Sequence, residues 1–85
     1  MNGRLVNSPA AWEKRIAEVW SEAFASDDWI ERDVNFFDAG GTSVHLLRVA
    51  ALVKQRYGVE VTGIDLFVHT TIAKLAAHVA GKIPT

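Results

Sequence analysis

Near its middle the chain reads Asn35-Phe36-Phe37-Asp38-Ala39-Gly40-Gly41-Thr42-Ser43-Val44. Two glycines and two hydroxyl residues stand directly ahead of an apolar run of helical period. A serine so placed can be a nucleophile, part of a phosphate loop, a helix cap or a point of covalent attachment. A nucleophile elbow needs Gly-x-Ser-x-Gly on a strand-to-helix turn; here the fifth position is His45 and no strand pattern precedes it. A phosphate loop needs a lysine before its Ser or Thr, and Ser43 has none. His45 is two residues beyond Ser43, a spacing at which side chains do not face each other on a helix, so it is a poor general base. Capping and attachment remain.

Thr42 can serve as the cap, which leaves Ser43 as the first helical residue with its hydroxyl free to face solvent. Gly40 and Gly41 clear bulk from its approach. The unpaired N–H groups and dipole at a helix start favour an anion there.

The elements around this stretch follow from the apolar spacing. Ser8-Pro9 is a helix start, and Trp12, Ile16, Val19, Trp20, Ala23 and Phe24 form one stripe behind it. From Ala25 to Thr42 there is no period, yet Trp29, Ile30, Val34, Phe36 and Phe37 should pin this long loop onto the helices. A second helix is expected from about Ser43 to Tyr57, ended by Gly58, with Leu46, Val49, Ala50, Val53 and Tyr57 facing the core. Val44, Leu47 and Ala51 make a second apolar strip on the opposite side, either extra core or a docking surface. Residues 59–63 read as a short linker, 64–67 as a brief turn or helix. Thr70 or Thr71 caps a last helix through Ile72, Leu75, Ala76 and Val79, which Gly81 and Pro84 end. The fold class is all-α: a four-helix bundle of three main helices plus a short third one, with a long loop between the first two.

Eighty-five residues suffice for one domain, 1–85 with its core at about 8–80, and 49% hydrophobic content gives it a small core. There is no cysteine to staple it and no metal-ligand spacing. A net charge of −1 with no basic cluster argues against nucleic acid as a partner. No apolar run is long enough to span a membrane, and the first residues lack a secretory pattern, so the expected compartment is the cytoplasm.

Phe36-Phe37-Asp38-Ala39-Gly40-Gly41-Thr42-Ser43-Val44 resembles the attachment motif of phosphopantetheine-dependent carrier proteins, Phe-Phe-x-x-Gly-Gly-x-Ser-Leu. The resemblance is closest to the peptidyl carrier (thiolation) domains of nonribosomal peptide synthetases. It continues in Tyr57-Gly58-Val59-Glu60-Val61, similar to the family's aromatic-Gly-Val-Glu-Leu. It extends to Leu66-Phe67-Val68-His69-Thr70-Thr71-Ile72-Ala73-Lys74-Leu75-Ala76, similar to Leu-Phe-x-x-Pro-Thr-Ile-x-x-Leu-Ala, so that roughly residues 8–80 are covered. Val44 stands for the family's Leu and Thr70 for its Pro, and Thr42 stands where many relatives have His or Asp.

The resemblance implies a non-catalytic carrier. A phosphopantetheinyl transferase would attach 4'-phosphopantetheine from coenzyme A to Ser43, with Gly40, Gly41 and Thr42 completing the motif. The arm's thiol would hold aminoacyl, peptidyl or acyl groups as thioesters in peptide-antibiotic biosynthesis. Adenylation, condensation, tailoring or thioesterase enzymes would be its partners, and the carrier a monomer. Between Val44 and Tyr57 there is no carboxylate, whereas acyl carriers of dissociated fatty-acid synthesis resemble one another in an acidic second helix. The partner surface expected instead is apolar: Val44 and Leu47, flanked by Arg48, with Ile64 and Phe67 alongside. Trp12 and Trp20 read as core, Asp27-Asp28 as a solvated turn, and His69 and His78, nine apart and on no shared face, as solvated or structural. Two other functions fit the same residues: an acyl carrier of a polyketide or hybrid assembly line, or an unmodified helical adaptor in which Ser43 only caps.

Overall fold

A computed structural model describes residues 7–25 and 30–82. The described residues form four helices: α1 (Pro9–Ala23), α2 (Ser43–Tyr57), α3 (Gly63–Val68) and α4 (Ile72–Lys82). The first begins where expected: Ser8 is in an extended conformation, its hydroxyl accepts from the Ala11 N–H at 3.1 Å, and Pro9 follows in the first turn. Asn7 is more than lead-in. Its Oδ1 accepts from the Trp12 indole N–H at 2.9 Å and its Nδ2 donates to the Ala80 carbonyl at 3.2 Å, tying the start of α1 to α4.

Helix α1 is the hub and packs along both α4 and α2, while α3 leans on α2. Trp12, Ile16, Val19 and Trp20 are buried against Val49 and Val53 of α2 and Ile72, Leu75, Ala76 and Val79 of α4, in one cluster with Phe36. Ala50 and Tyr57 are half-buried at its margin. Val59 and Val61, expected in a linker, are buried too. The alternation Val59-Glu60-Val61 turns both valines inward and Glu60 outward to pair with Lys54 at 3.2 Å. Gly58 ends α2 in the left-handed conformation, φ +69°.

Thr71 rather than Thr70 caps α4, its hydroxyl accepting the Lys74 N–H at 3.1 Å. Gly81 does not end α4, which runs on to Lys82, and Pro84 lies outside the described residues. Trp29 and the Asp27-Asp28 pair also lie outside them.

The loop ahead of α2 is held at several points. Arg32 grips Glu13 of α1 through two hydrogen bonds of 2.6 and 2.8 Å, and this pairing holds the Glu13 carboxyl below the usual range. The Arg32 carbonyl accepts the Ala73 N–H at 3.0 Å, and the Phe36 N–H donates to the Thr70 carbonyl at 2.6 Å. Ile30 and Phe36 pack onto the core as expected; Phe37 does not, and stays at the surface.

Candidate functional site

Asn35 opens the turn that leads to Ser43. Its Oδ1 accepts from the Phe37 N–H at 2.8 Å, while its Nδ2 donates to the Thr70 hydroxyl at 3.0 Å. Thr70, which stands where the resemblance expects proline, thereby gives the turn a side-chain tether as well as its carbonyl. The chain then coils tightly: Ala39 N–H to Asn35 O at 3.0 Å, Gly40 N–H to Phe37 O at 3.1 Å, Gly41 N–H to Phe36 O at 3.0 Å.

The two glycines have different reasons to be glycine. Gly40 adopts φ +95°, which side chains rarely take. Gly41 lies on Phe36: a Cβ there would sit 2.2 Å from Cε2 and 2.3 Å from Cδ2 of the ring, and 2.7 Å from the Phe36 carbonyl oxygen. The sequence suggested that both clear the approach to Ser43. The structure gives Gly41 an inward task, letting the turn close over a ring that is 1% exposed and stacked edge-on against Trp20.

Thr42 is extended, φ −125°, and is the N-cap of α2, as expected. Its partner, which the sequence did not reveal, is His45, whose Nδ1 accepts the Thr42 N–H at 3.0 Å and lies 3.0 Å from the Thr42 hydroxyl. The three-residue spacing was the available signal, obscured because glutamate or glutamine usually fills that place in a capping box. Ser43 is the first residue of α2 and exposed, and its hydroxyl makes no hydrogen bond with the described residues. The helix ladder begins with Leu46 N–H to Thr42 O at 3.0 Å, so the Ser43 and Val44 N–H groups have no partner within the helix. No acidic side chain occupies this first turn, while Lys54 and Arg56 occupy the last. An anion carried on the Ser43 oxygen would meet N–H donors left unpaired by the helix and the positive end of the helix dipole, so these residues fit a phosphodiester.

Beyond Ser43 the surface is apolar. Val44, Leu47, Ile64 and Phe67 are 65%, 68%, 77% and 66% exposed, with Val68 beside them. Of the two options for Val44 and Leu47, extra core is therefore wrong. Phe37 extends the patch from the loop, its ring centroid 5.5 Å from that of Phe67. The cations of α2 point to intramolecular partners: Arg48 donates to the Ala23 carbonyl at 3.3 Å, Lys54 pairs with Glu60 and Arg56 with Glu22. Arg48 thus secures the C-terminal end of α1, a task the sequence did not suggest.

His69 and His78 share no element face, as the sequence indicated, yet they meet across two elements. Their rings stack with centroids 4.1 Å apart where α3 ends and α4 runs past. His78 Nε2 stands 3.3 Å from Asp65, at ion-pair distance but without hydrogen-bond alignment, and Lys82 lies 3.5 Å from the same carboxylate. Asp65 also accepts the Thr62 N–H at 3.1 Å, which chiefly holds its carboxyl below the usual range. Among the described residues, no three His, Cys, Asp or Glu side chains are gathered to hold a metal ion, and no helix is long and apolar enough to cross a membrane.

Residues 14–79 match the family described as the phosphopantetheine attachment site. The chain is 40% identical over 63 residues to the hybrid PKS-NRPS synthetase TAS1 of Botryobasidium botryosum, covering 74% of this chain and 4% of that protein. It is 37% identical over 73 residues to the nonribosomal peptide synthetase opaA of Aspergillus ustus, covering 85% of this chain and 2% of that one. Among solved structures it superimposes with a TM-score of 0.82 on BlmI, a type-II acyl carrier protein from Streptomyces verticillus involved in bleomycin biosynthesis. That alignment has 25% identity and covers 89% of this chain and 90% of BlmI. A four-helix fold, a helix start suited to a phosphodiester and relatives in nonribosomal and hybrid synthetases agree: the chain belongs to the phosphopantetheine attachment family, as a carrier domain of the generally non-catalytic kind.

Proposed function

We propose that residues 1–85 form one carrier unit that bears 4'-phosphopantetheine on Ser43 and ferries aminoacyl or peptidyl thioesters between enzymes of a nonribosomal or hybrid assembly line. The observation that carries this reading is the Ser43 hydroxyl: exposed, without a hydrogen-bond partner among the described residues, and first in a helix already capped by its neighbours Thr42 and His45. In the loading step the Ser43 oxygen attacks the pantetheine-side phosphorus of coenzyme A. An O–P bond forms, the pyrophosphate P–O bond breaks, adenosine 3',5'-bisphosphate leaves, and the serine proton passes to a base of the phosphopantetheinyl transferase. The attached group supplies a terminal thiol for thioester chemistry. The chain's own contribution is to fix Gly40, Gly41 and Thr42 in the turn that leads into Ser43, and to place the new anion at the start of α2.

Adenylation, condensation and tailoring or thioesterase enzymes would dock on Val44, Leu47, Ile64 and Phe67. The unit would act as a monomer in the cytoplasm, where coenzyme A is available. The absence of any carboxylate on α2 and the internal pairing of its cations favour such an apolar contact over the charge-read docking of acidic carriers. Intact mass after incubation with coenzyme A and a broad-specificity transferase tests the attachment. Wild type should gain one phosphopantetheine and Ser43→Ala none. No gain on folded wild type would leave an unmodified helical adaptor, and equal loading of Ser43→Ala would move the site.

A further inference from the structure

His45 occupies the third position of α2, where a capping box ordinarily uses a glutamate or glutamine oxygen to take the N-cap N–H. Here an imidazole does it. Because Nδ1 accepts from the Thr42 backbone, the ring is neutral and its proton is on Nε2. The other flank of the ring lies against Phe24 at the end of α1, centroids 4.8 Å apart and planes at 47°. Phe24 in turn lies 5.1 Å from Phe36, the ring over which Gly41 closes. The half-buried imidazole therefore joins the end of α1 to the cap of α2, and Phe24 links it onward to the buried aromatic of the attachment turn. Ser43 lies in the chain between the two residues so joined.

The choice of ring has a physical consequence. A glutamate at this place would cap as well, but would set a negative charge in the same turn as the phosphodiester. The imidazole accepts the N–H without charge, and the first turn keeps its whole affinity for an anion.

We infer that His45 is a positioning residue for phosphopantetheine transfer: its neutral ring locks Thr42 and so fixes the direction in which the Ser43 hydroxyl is offered to the transferase. The inference rests on Ser43 being the acceptor. Without the lock the first turn of α2 frays and only a fraction of molecules present the hydroxyl correctly, which lowers the apparent rate by that fraction.

The test compares transferase kinetics on wild type, His45→Leu, His45→Gln and His45→Glu, with folding checked by circular dichroism. Loss of a cap predicts that His45→Leu lowers kcat/KM roughly fivefold. His45→Gln, a neutral acceptor, restores most of it, and His45→Glu keeps helix content yet stays slow. Independently of any variant, nitrogen NMR of the wild type should show an unprotonated Nδ1, and His45→Leu should shift the Thr42 amide signal while His45→Gln returns it. Equal rates in all four proteins overturn the inference and leave the attachment at Ser43 standing, as does a protonated Nδ1 in the wild type. Failure of His45→Gln to rescue also overturns it. Failure of folded wild type to load at all overturns the attachment reading and this inference together.

Discussion

Gly41→Ala is the substitution whose cost follows most directly from the geometry. The added methyl carbon would stand 2.2 and 2.3 Å from two carbons of the Phe36 ring, where ordinary contact between carbons is about 3.5–4.0 Å. More than 1 Å must be recovered from something. The ring cannot swing away, because it is buried with Trp20 edge-on at 4.8 Å and Phe24 at 5.1 Å. The backbone cannot retreat easily either: the Phe36 oxygen, 2.7 Å from the new carbon, accepts the Gly41 N–H, and the Phe36 N–H is fixed on Thr70. Overpacking costs about 1–3 kcal/mol, and with both ring and carbonyl opposing it the upper end applies, about 3 kcal/mol. For a domain of this size that lowers Tm by roughly 12–24 °C. Urea unfolding followed by tryptophan fluorescence measures it. Gly40→Ala is the control: nothing stands within 4 Å of its added carbon, and only the backbone strain at φ +95° remains, about 1–2 kcal/mol. If Gly41→Ala unfolded within 0.5 kcal/mol or so of wild type yet was loaded slowly by the transferase, the reasoning would be refuted, and Gly41 would be there to clear the path to Ser43.

Leu47→Ala, at a side chain 68% exposed, should change stability by no more than about 0.5 kcal/mol while lowering partner turnover tenfold or more. Phe67→Ala should act alike on turnover but cost up to about 1 kcal/mol, since its ring meets Phe37. Steady-state kinetics with an adenylation or condensation enzyme, beside urea unfolding, checks both. Asn35→Ala removes hydrogen bonds to the Phe37 N–H and the Thr70 hydroxyl and should cost about 1–3 kcal/mol by urea unfolding. His69 is held below the ordinary histidine value of 6.5, first by burial and then by His78 and Lys74, with Asp65 opposing. The unfolded chain therefore binds that proton more readily, and the stabilisation is whole above 6.5 and lost as pH falls through the lowered value. Unfolding free energies measured from neutral pH down to about pH 5 should decline less in His69→Gln than in wild type. An identical decline would assign the acid sensitivity elsewhere.

Much of the fold was legible because local rules and tertiary packing agree in it. Ser8-Pro9 announced α1, the 3.6-residue stripes announced the buried faces of α1, α2 and α4, and Gly58 announced the end of α2. Thr42 and Ser43 could be assigned to cap and first turn because capping is a matter of a few adjacent residues. What depended on distant chain segments was not legible. Val59 and Val61 read as linker because only the packed helices make that stretch interior. Gly81 read as a helix end, but α4 continues through it to Lys82.

The same division runs through the site. By itself the sequence determined that a hydroxyl heads a helix with no catalytic base in register, and that α2 carries an apolar strip without carboxylates. These follow from residue type and spacing along one element. Only the tertiary structure decided that the strip faces outward beside Ile64 and Phe67, that Arg48 is committed to the end of α1, and that His69 stacks on His78. Only it showed why Gly41 is glycine and what His45 holds. Spacing along a helix fixes which side chains share a face; which faces are covered, and by which distant side chain, is settled when the helices pack.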